Sequence, residues 1–189
     1  MGLTGSKAIL AVASMAPLFD LDSLYREHAR TVARWVRRLA GPGTDVDDLV
    51  QEVFLVVERR LPELDGEGKI TTWLYRIAER VVMDARRRDR FRRWFSRARS
   101  VEIEQSLSSV ARSPLDALER QQAVASLYRV LDRLPERYRK VLILFELEEM
   151  SGEEIAALTG LKEATVWTHL HRGRARVLQE MKRALGRES

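Results

Sequence analysis

Apolar residues recur along this chain at intervals of three and four, and no stretch sustains the alternation of period two that marks a strand. The intervals predict helices over about 18–40, 45–61, 70–93 and 115–134. Glycine and proline lie almost entirely outside these stretches, with GPG at 41–43 after the first helix and Pro62 after the second. The pattern therefore predicts an all-α protein.

The segment SRARSVEIEQSLSSVARSP (96–114) interrupts this pattern. It is rich in serine, has few large apolar residues and keeps no sustained period, which is typical of a linker. Helical periodicity then resumes, and Pro135 lies at the start of a further helix, where proline is best tolerated. We therefore expect two small helical domains, 18–93 and 118–186, joined by a flexible linker at 94–117.

Residues 1–17 form an N-terminal extension in this scheme. Their apolar run, Ala8 to Ala13, is shorter than the core of a secretory signal, and Lys7 is the single charge before it. No segment approaches the roughly 18 continuous apolar residues that a membrane span needs. The sequence predicts a cytoplasmic protein without membrane insertion.

The composition excludes several kinds of active site. The chain has no cysteine, so it offers no disulfide framework, thiolate zinc site or cysteine nucleophile. Its three histidines leave little for a metal site. We expect no catalytic residue, metal or cofactor. The formal net charge of +5 is compatible with a nucleic-acid partner.

A helix-turn-helix is predicted near the C-terminus, in SGEEIAALTGLKEATVWTHLHRGRARV (151–177). Ser151 and Glu154 have the spacing of a capping box. Ala156 permits close helix approach, Gly160 suits a left-handed turn, and Val166 fills the space between the helices. A plain helical hairpin could show any one of these features, but their combination favours DNA binding.

The second helix of this motif would enter the major groove. Its candidate DNA contacts are Thr165, Trp167, Thr168, His169 and Arg172, with Arg174 and Arg176 towards the phosphates. For Arg174 and Arg176 the alternative is a solvated helix end that complements the helix dipole.

DVDDLVQEVFLVV (45–57) is amphipathic. Its apolar stripe leaves Asp48, Gln51 and Glu52 on the opposite face. From the residues alone these are ordinary solvated positions of a helix capped by Asp45. A carboxylate metal site is disfavoured because neither a histidine nor a second carboxylate helix accompanies the face.

The third helix carries Trp73, Arg76, Arg80 and Arg87 along one side, and residues 86–99 contain eight arginines against one aspartate. Arginines beside exposed aromatic rings suit unpaired nucleic acid, because bases stack on the rings while guanidinium groups hold the backbone. The alternatives are a half-buried core position for Trp73 and a solvated helix end for the arginine run.

These pieces in this order resemble a bacterial RNA polymerase sigma factor of the extracytoplasmic-function group of the sigma-70 family. The matching text is LYREHARTVARWVRRLAG, DVDDLVQEVF, TTWLYRIAERVVMDARRR, LPERYRKVLILFELEEMSGEEIAALTGL and TVWTHLHRGRARV. Together these cover most of residues 18–183. The resemblance implies a protein that catalyses no reaction itself. It would bring core RNA polymerase to promoter DNA, melt the DNA duplex and start transcription.

The resemblance also assigns roles to residues. Asp48, Gln51 and Glu52 would bind the clamp helices of the polymerase. The proximal promoter element and the unpaired base would be contacted by Trp73, Arg76, Arg80, Arg87 and Arg88. The helix-turn-helix would read the distal element and touch the polymerase flap, and the linker would run towards the active-site cleft. An anti-sigma partner is also implied.

This chain departs from the usual family pattern at several positions. Arg80 stands where asparagine is common, in the pocket for the flipped base. Trp167 and His169 replace a lysine and an arginine of the recognition helix, and Lys162 is a poor helix cap. We therefore expect an unusual distal element, or one bound less electrostatically.

Two other classes of function compete with this interpretation. A stand-alone repressor or activator would need a sensor pocket or a dimer seam in the N-terminal half, and an enzyme acting on nucleic acid would need a metal or nucleophile cluster. The sequence shows no sign of a sensor pocket or dimer seam, and no metal or nucleophile cluster.

Overall fold

The computed structural model describes residues 20–64, 70–96 and 114–185 of the chain. All regular secondary structure in these residues is helical, which confirms the all-α prediction. The first lobe comprises α1 (Leu21–Ala40), α2 (Val46–Arg60), a 3-10 turn (Leu61–Glu63) and α3 (Ile70–Ser96). The second comprises α4 (Pro114–Leu131), α5 (Glu136–Leu142), its π-helical continuation (Ile143–Leu147), α6 (Gly152–Thr159) and α7 (Glu163–Leu185).

Parts of the predicted organisation lie outside the described residues. These are the N-terminal extension 1–17 and the stretch 97–113 of the predicted linker. Where the linker was predicted to begin and end, at 94 and 117, the structure has helix: α3 continues to Ser96 and α4 begins at Pro114.

Local side chains explain where the helices begin and end. The Asp20 carboxylate accepts a hydrogen bond from the Ser23 amide at 3.3 Å, and Asp45 accepts from the amides of Asp47 and Asp48 at 3.1 Å. Both caps satisfy amides that have no partner within the helix. At the other end of α1, Gly41 takes φ +89°, a conformation that disfavours residues with a Cβ atom.

The core of the first lobe lies between α1, α2 and α3. Val32, Val36, Val53, Val57 and Leu74 are completely buried there. Truncating a buried leucine such as Leu74 to alanine typically costs about 2–5 kcal/mol, because transfer free energy is lost and a cavity is left. Val53 and Val57 belong to the apolar stripe predicted for α2, and their burial confirms that this stripe is the buried face of the helix.

The core of the second lobe forms where α5 and α6 pack against α7. Ile155 and Val166 are fully buried between the two helices of the predicted helix-turn-helix, and Leu158 and Leu170 are nearly so. The two lobes are also in contact. Tyr128 of α4 lies against Gly41 of the first lobe, where a Cβ atom would come within 2.6 Å of the tyrosine ring.

Candidate nucleic-acid interface

The turn of the helix-turn-helix has the predicted geometry. The Glu154 amide donates to Ser151 Oγ at 3.2 Å, and the Ser151 amide donates to the Glu154 carboxylate at 2.7 Å. This capping box begins α6, and the hydrogen bonds from Ser151 lower the pKa of Glu154. Gly160 ends α6 in the left-handed region at φ +72°, and its amide donates to the Ala156 carbonyl.

Five of the seven predicted distal-element residues are exposed on α7: Trp167, Thr168, Arg172, Arg174 and Arg176. Thr165 is half-buried. The Thr168 hydroxyl donates to the Ala164 carbonyl at 2.8 Å, which leaves its oxygen free to accept. Two side-chain hydrogen bonds lower the pKa of Tyr138, the larger effect coming from Arg137 and the smaller from Arg172. The Arg172 side chain therefore lies beside Tyr138 of α5.

Trp167 combines an exposed edge with a packed face. Its indole N–H donates to Glu163 at 3.1 Å, and its ring meets Phe145 edge-on at 5.7 Å between centroids. A Cβ atom on Gly152 would come within 2.8 Å of the indole ring. Trp167 therefore braces the start of α6 while 46% of its surface stays exposed.

His169 and Arg174 have partners inside the protein. The His169 ring lies edge-on to Tyr138 at 5.4 Å, and its Nδ1 atom is buried without a hydrogen-bond partner in the described residues. Burial, with positive charge from Arg137 nearby, lowers the pKa of His169. Arg174 donates to Glu146 at 2.7 and 2.9 Å, and its guanidinium group lies 5.2 Å from the Phe145 ring. A DNA contact by either residue stays a prediction.

In the first lobe, α2 displays the predicted acidic face. Asp48 and Gln51 are exposed, whereas Glu52 is half-buried and accepts a hydrogen bond from Arg88 of α3 at 3.1 Å. Glu52 and Arg88 were predicted to serve two different partners, but here they form an ion pair with each other. The acidic and basic surfaces of this lobe are therefore contiguous at this pair.

The basic face of α3 is more open. Arg76, Arg80 and Arg87 are exposed, and the Arg80 side chain is 84% accessible, with a long ion pair to Asp84 at 4.0 Å. Trp73 is half-buried and packs against the core. This half-buried position agrees with the interpretation of Trp73 as a partly buried core residue, and stacking of a base on its ring stays a prediction.

The sequence analysis missed a set of ionic contacts between the lobes. Arg139 of α5 is 1% exposed, and its Nη1 atom donates to the Leu39 carbonyl of α1 at 2.6 Å. Burial lowers the pKa of Arg139 to about 10. Arg86 of α3 pairs with Asp132 and Glu136 across the same boundary. No local pattern could reveal these pairs, because the partners lie 46 to 100 positions apart.

The part of the chain that the structure describes shows neither a metal site nor a membrane-spanning helix. No cluster of three or more histidine, aspartate or glutamate side chains there could hold a metal ion. Among those same residues, no helix is both long and apolar enough to span a bilayer.

Comparison with protein families assigns both lobes. Residues 24–92 match sigma-70 region 2, and residues 125–177 match sigma-70 region 4. The two matches fall on the two lobes in chain order.

Curated relatives resemble the chain over most of its length. An extracytoplasmic-function (ECF) sigma factor SigF of Caulobacter vibrioides is 31% identical, over 83% of this chain and 82% of the relative. The ECF sigma-E factor of Escherichia coli is also 31% identical, with 82% of each chain covered. SigE of Mycolicibacterium smegmatis is 33% identical over 90% of this chain, which spans 65% of that relative's length.

Two solved structures share the fold. CnrH, in complex with the cytosolic domain of CnrY, superposes with a TM-score of 0.57 at 23% identity, covering 93% of this chain and 96% of that one. The sigma factor RpoE of Bartonella quintana, in complex with the anti-sigma factor NepR, has the same TM-score at 18% identity and covers 86% and 97%.

Proposed function

Because the chain belongs to the extracytoplasmic-function sigma factors of the sigma-70 family, which direct transcription initiation without enzymatic activity of their own, we propose that three of its surfaces bind three different targets. The α2 face with Asp48, Gln51 and Glu52 binds core RNA polymerase. The α3 face binds and opens the proximal promoter element through Trp73, Arg76, Arg80, Arg87 and Arg88. The exposed side of α7 reads the distal element.

The observation that carries the proposal is the placement of α7. Its first turns follow the left-handed Gly160 turn and expose Trp167, Thr168 and Arg172, while Val166 and Leu170 fasten the helix to the core. A recognition helix needs this combination of a fixed inner face and a free polar outer face, because base edges are read by side chains that point into the groove.

Two DNA-binding surfaces on one chain explain why neither must bind tightly alone. Once a first contact holds the protein on the polymerase–promoter complex, the second contact forms at a high effective concentration. Opening the duplex costs a few kcal/mol per extruded base, which a pocket for that base offsets. Arg80 would alter the base preference of such a pocket.

The polymerase-binding role of α2 is tested by charge removal. We expect Asp48→Ala combined with Glu52→Ala to weaken association with core RNA polymerase by tenfold or more, on the order of 1.4 kcal/mol, while the unfolding midpoint stays close to that of the parent. The control is Glu27→Ala combined with Glu119→Ala, which removes the same charge from exposed positions on α1 and α4, outside the proposed face of α2. Unchanged core binding by the first double variant would refute the assignment.

An anti-sigma partner is a further part of the proposal. Its support is the family membership of the chain and the solved complex of the sigma factor RpoE with NepR. The chain shares the fold of RpoE. A protein that co-purifies with the chain must, once purified itself, suppress transcription by the reconstituted holoenzyme. A co-purifying protein without that effect would not be an anti-sigma factor.

A further inference from the structure

The first two turns of α7, residues 163–170, expose side chains that have no hydrogen free for a base. The exposed residues in these turns are Glu163, Ala164, Trp167 and Thr168. Ionised glutamate only accepts hydrogen bonds, and the alanine side chain neither donates nor accepts them. The Thr168 hydroxyl already donates to the Ala164 carbonyl at 2.8 Å, so its oxygen is left to accept.

Trp167 has one hydrogen-bond donor, and that donor is used inside the protein. The indole N–H donates to Glu163 at 3.1 Å. Phe145 meets the ring edge-on at 5.7 Å, and a Cβ atom on Gly152 would lie 2.8 Å from it. The ring is therefore held in place by its neighbours, and the part of it that stays exposed presents carbon to an approaching partner.

Exposed side chains that can donate lie at either end of this stretch. His171 and Arg172 are exposed in the next turn of α7. Lys162 immediately precedes the helix, where a flexible ammonium group suits a phosphate as a point charge. Phosphate contacts position the protein but carry no base information directly. The start of α7 is therefore apolar and accepting, and its next turn is donating.

This division matches the chemistry of base pairs in the major groove. Guanine presents only acceptors there, N7 and O6, which suit Arg172 and not the start of α7. An adenine–thymine pair presents the apolar 5-methyl group of thymine and the donating N6 amino group of adenine. The exposed carbons of Trp167 complement the methyl group, and the free acceptor of Thr168 complements the amino group.

We propose that Trp167 reads a thymine of the distal promoter element through its 5-methyl group, which packs on the exposed carbons of the indole ring. This inference rests on the proposed role of α7 in reading the distal element. It makes Trp167 a specificity-determining residue, because in the major groove the other three bases lack this methyl group. Arg172 would read a guanine in the same element.

The test removes the methyl group and nothing else. Reconstituted holoenzyme is titrated with a promoter fragment mapped by run-off transcription, in which deoxyuridine replaces each thymidine of the distal element in turn. Deoxyuridine pairs with adenine as thymidine does but has no 5-methyl group. We expect one of these replacements to weaken binding by about three- to tenfold, because the burial of one methyl group is lost.

Protein variants connect this effect to the indole ring. Trp167→Ala should bind the thymidine and deoxyuridine fragments equally at that position. Met181→Ala is the matched control, because Met181 is an apolar residue of the same helix with similar exposure, and it should keep the difference seen with the parent. Trp167→Lys introduces a donor and should change the preferred base at that position to guanine.

The comparison of fragments uses the unaltered protein, so it decides the inference even if a Trp167 variant folds poorly. A distal element composed only of guanine–cytosine pairs would overturn the inference. If base-pair substitutions weaken binding but the loss of no methyl group does, the inference fails and the proposed function stands. A methyl effect of equal size in Trp167→Ala would also overturn the inference. Promoter affinity that is independent of the distal sequence would refute the proposed role of α7 and the inference with it.

Discussion

The packing of Trp167 in α7 requires a small residue at position 152 in α6. Gly152 is the first residue of α6, and alanine favours a helix over glycine by up to about 0.5–1 kcal/mol, the value for the helix interior. Its missing side chain is replaced by the Trp167 ring, which a Cβ atom would approach to 2.8 Å. Packing and helix propensity therefore predict opposite signs for the same substitution.

We expect packing to dominate at this position. Gly152→Ala should destabilise the protein by about 1–3 kcal/mol, because the indole must move off Phe145 and Glu163. In a Trp167→Ala background the same change should cost much less, giving a coupling of at least about 0.5 kcal/mol in a double-mutant cycle measured by urea unfolding. Additive effects of the two substitutions would show that Gly152 and Trp167 do not interact energetically, which would contradict this prediction.

His169 was predicted from sequence as a DNA contact, and its surroundings give it a second property. Burial is the main cause that lowers its pKa below the ordinary 6.5, so the unfolded chain binds a proton at a higher pH than the folded protein does. The stability that this group contributes is complete above pH 6.5. It is lost as the pH falls from there towards the folded pKa.

We expect His169→Gln to flatten this part of the stability profile, because glutamine does not titrate. The free energy of unfolding would be followed by urea titration at several pH values below 7. The matched control is His171→Gln, which changes the exposed histidine two positions away on the same helix. A slope that stays unchanged in the His169 variant would show that its protonation is not linked to folding.

At the scale of single elements, the sequence predicted most helix limits because their signals are local. Gly41, Pro62 and the Ser151–Glu154 capping box act within one turn of the residues that they affect. The buried stripe of α2 follows in the same way from its period. The π-helical segment Ile143–Leu147 has no such local signal in the sequence.

Helix α7 is the element for which promoter reading makes the sharpest prediction. Arg172→Ala should weaken promoter binding by the holoenzyme by about 1–3 kcal/mol if the guanidinium group pairs with a base, and should reduce discrimination at one base pair. Association with core polymerase should not change. Lys182→Ala removes the same charge from the last turns of the same helix and should have a much smaller effect.

The measurement is promoter affinity by fluorescence anisotropy, on the parent promoter and on single base-pair variants. Equal affinity for the Arg172 variant and its parent would contradict a reading role for this residue. A loss that is uniform across all base-pair variants would move Arg172 from base reading to phosphate contact.

At the scale of the whole molecule, the family and the two regions could be anticipated from sequence, but the arrangement of the lobes could not. Arg139 and Arg86 read locally as helix surface positions, and the structure makes them buried bridges to residues of the other lobe. Their role depends on which faces meet, and no spacing within one helix encodes that. The same limit applies to Glu52 and Arg88, whose pairing joins two different helices.

The most direct test of the account is run-off transcription from genomic fragments by core RNA polymerase with and without the purified chain. The account predicts co-elution of the chain with core polymerase and discrete transcripts that require it, with start sites at a fixed distance from a shared pair of sequence elements. Tight DNA binding by the chain alone, with neither core association nor new transcripts, would contradict it and favour a stand-alone regulator.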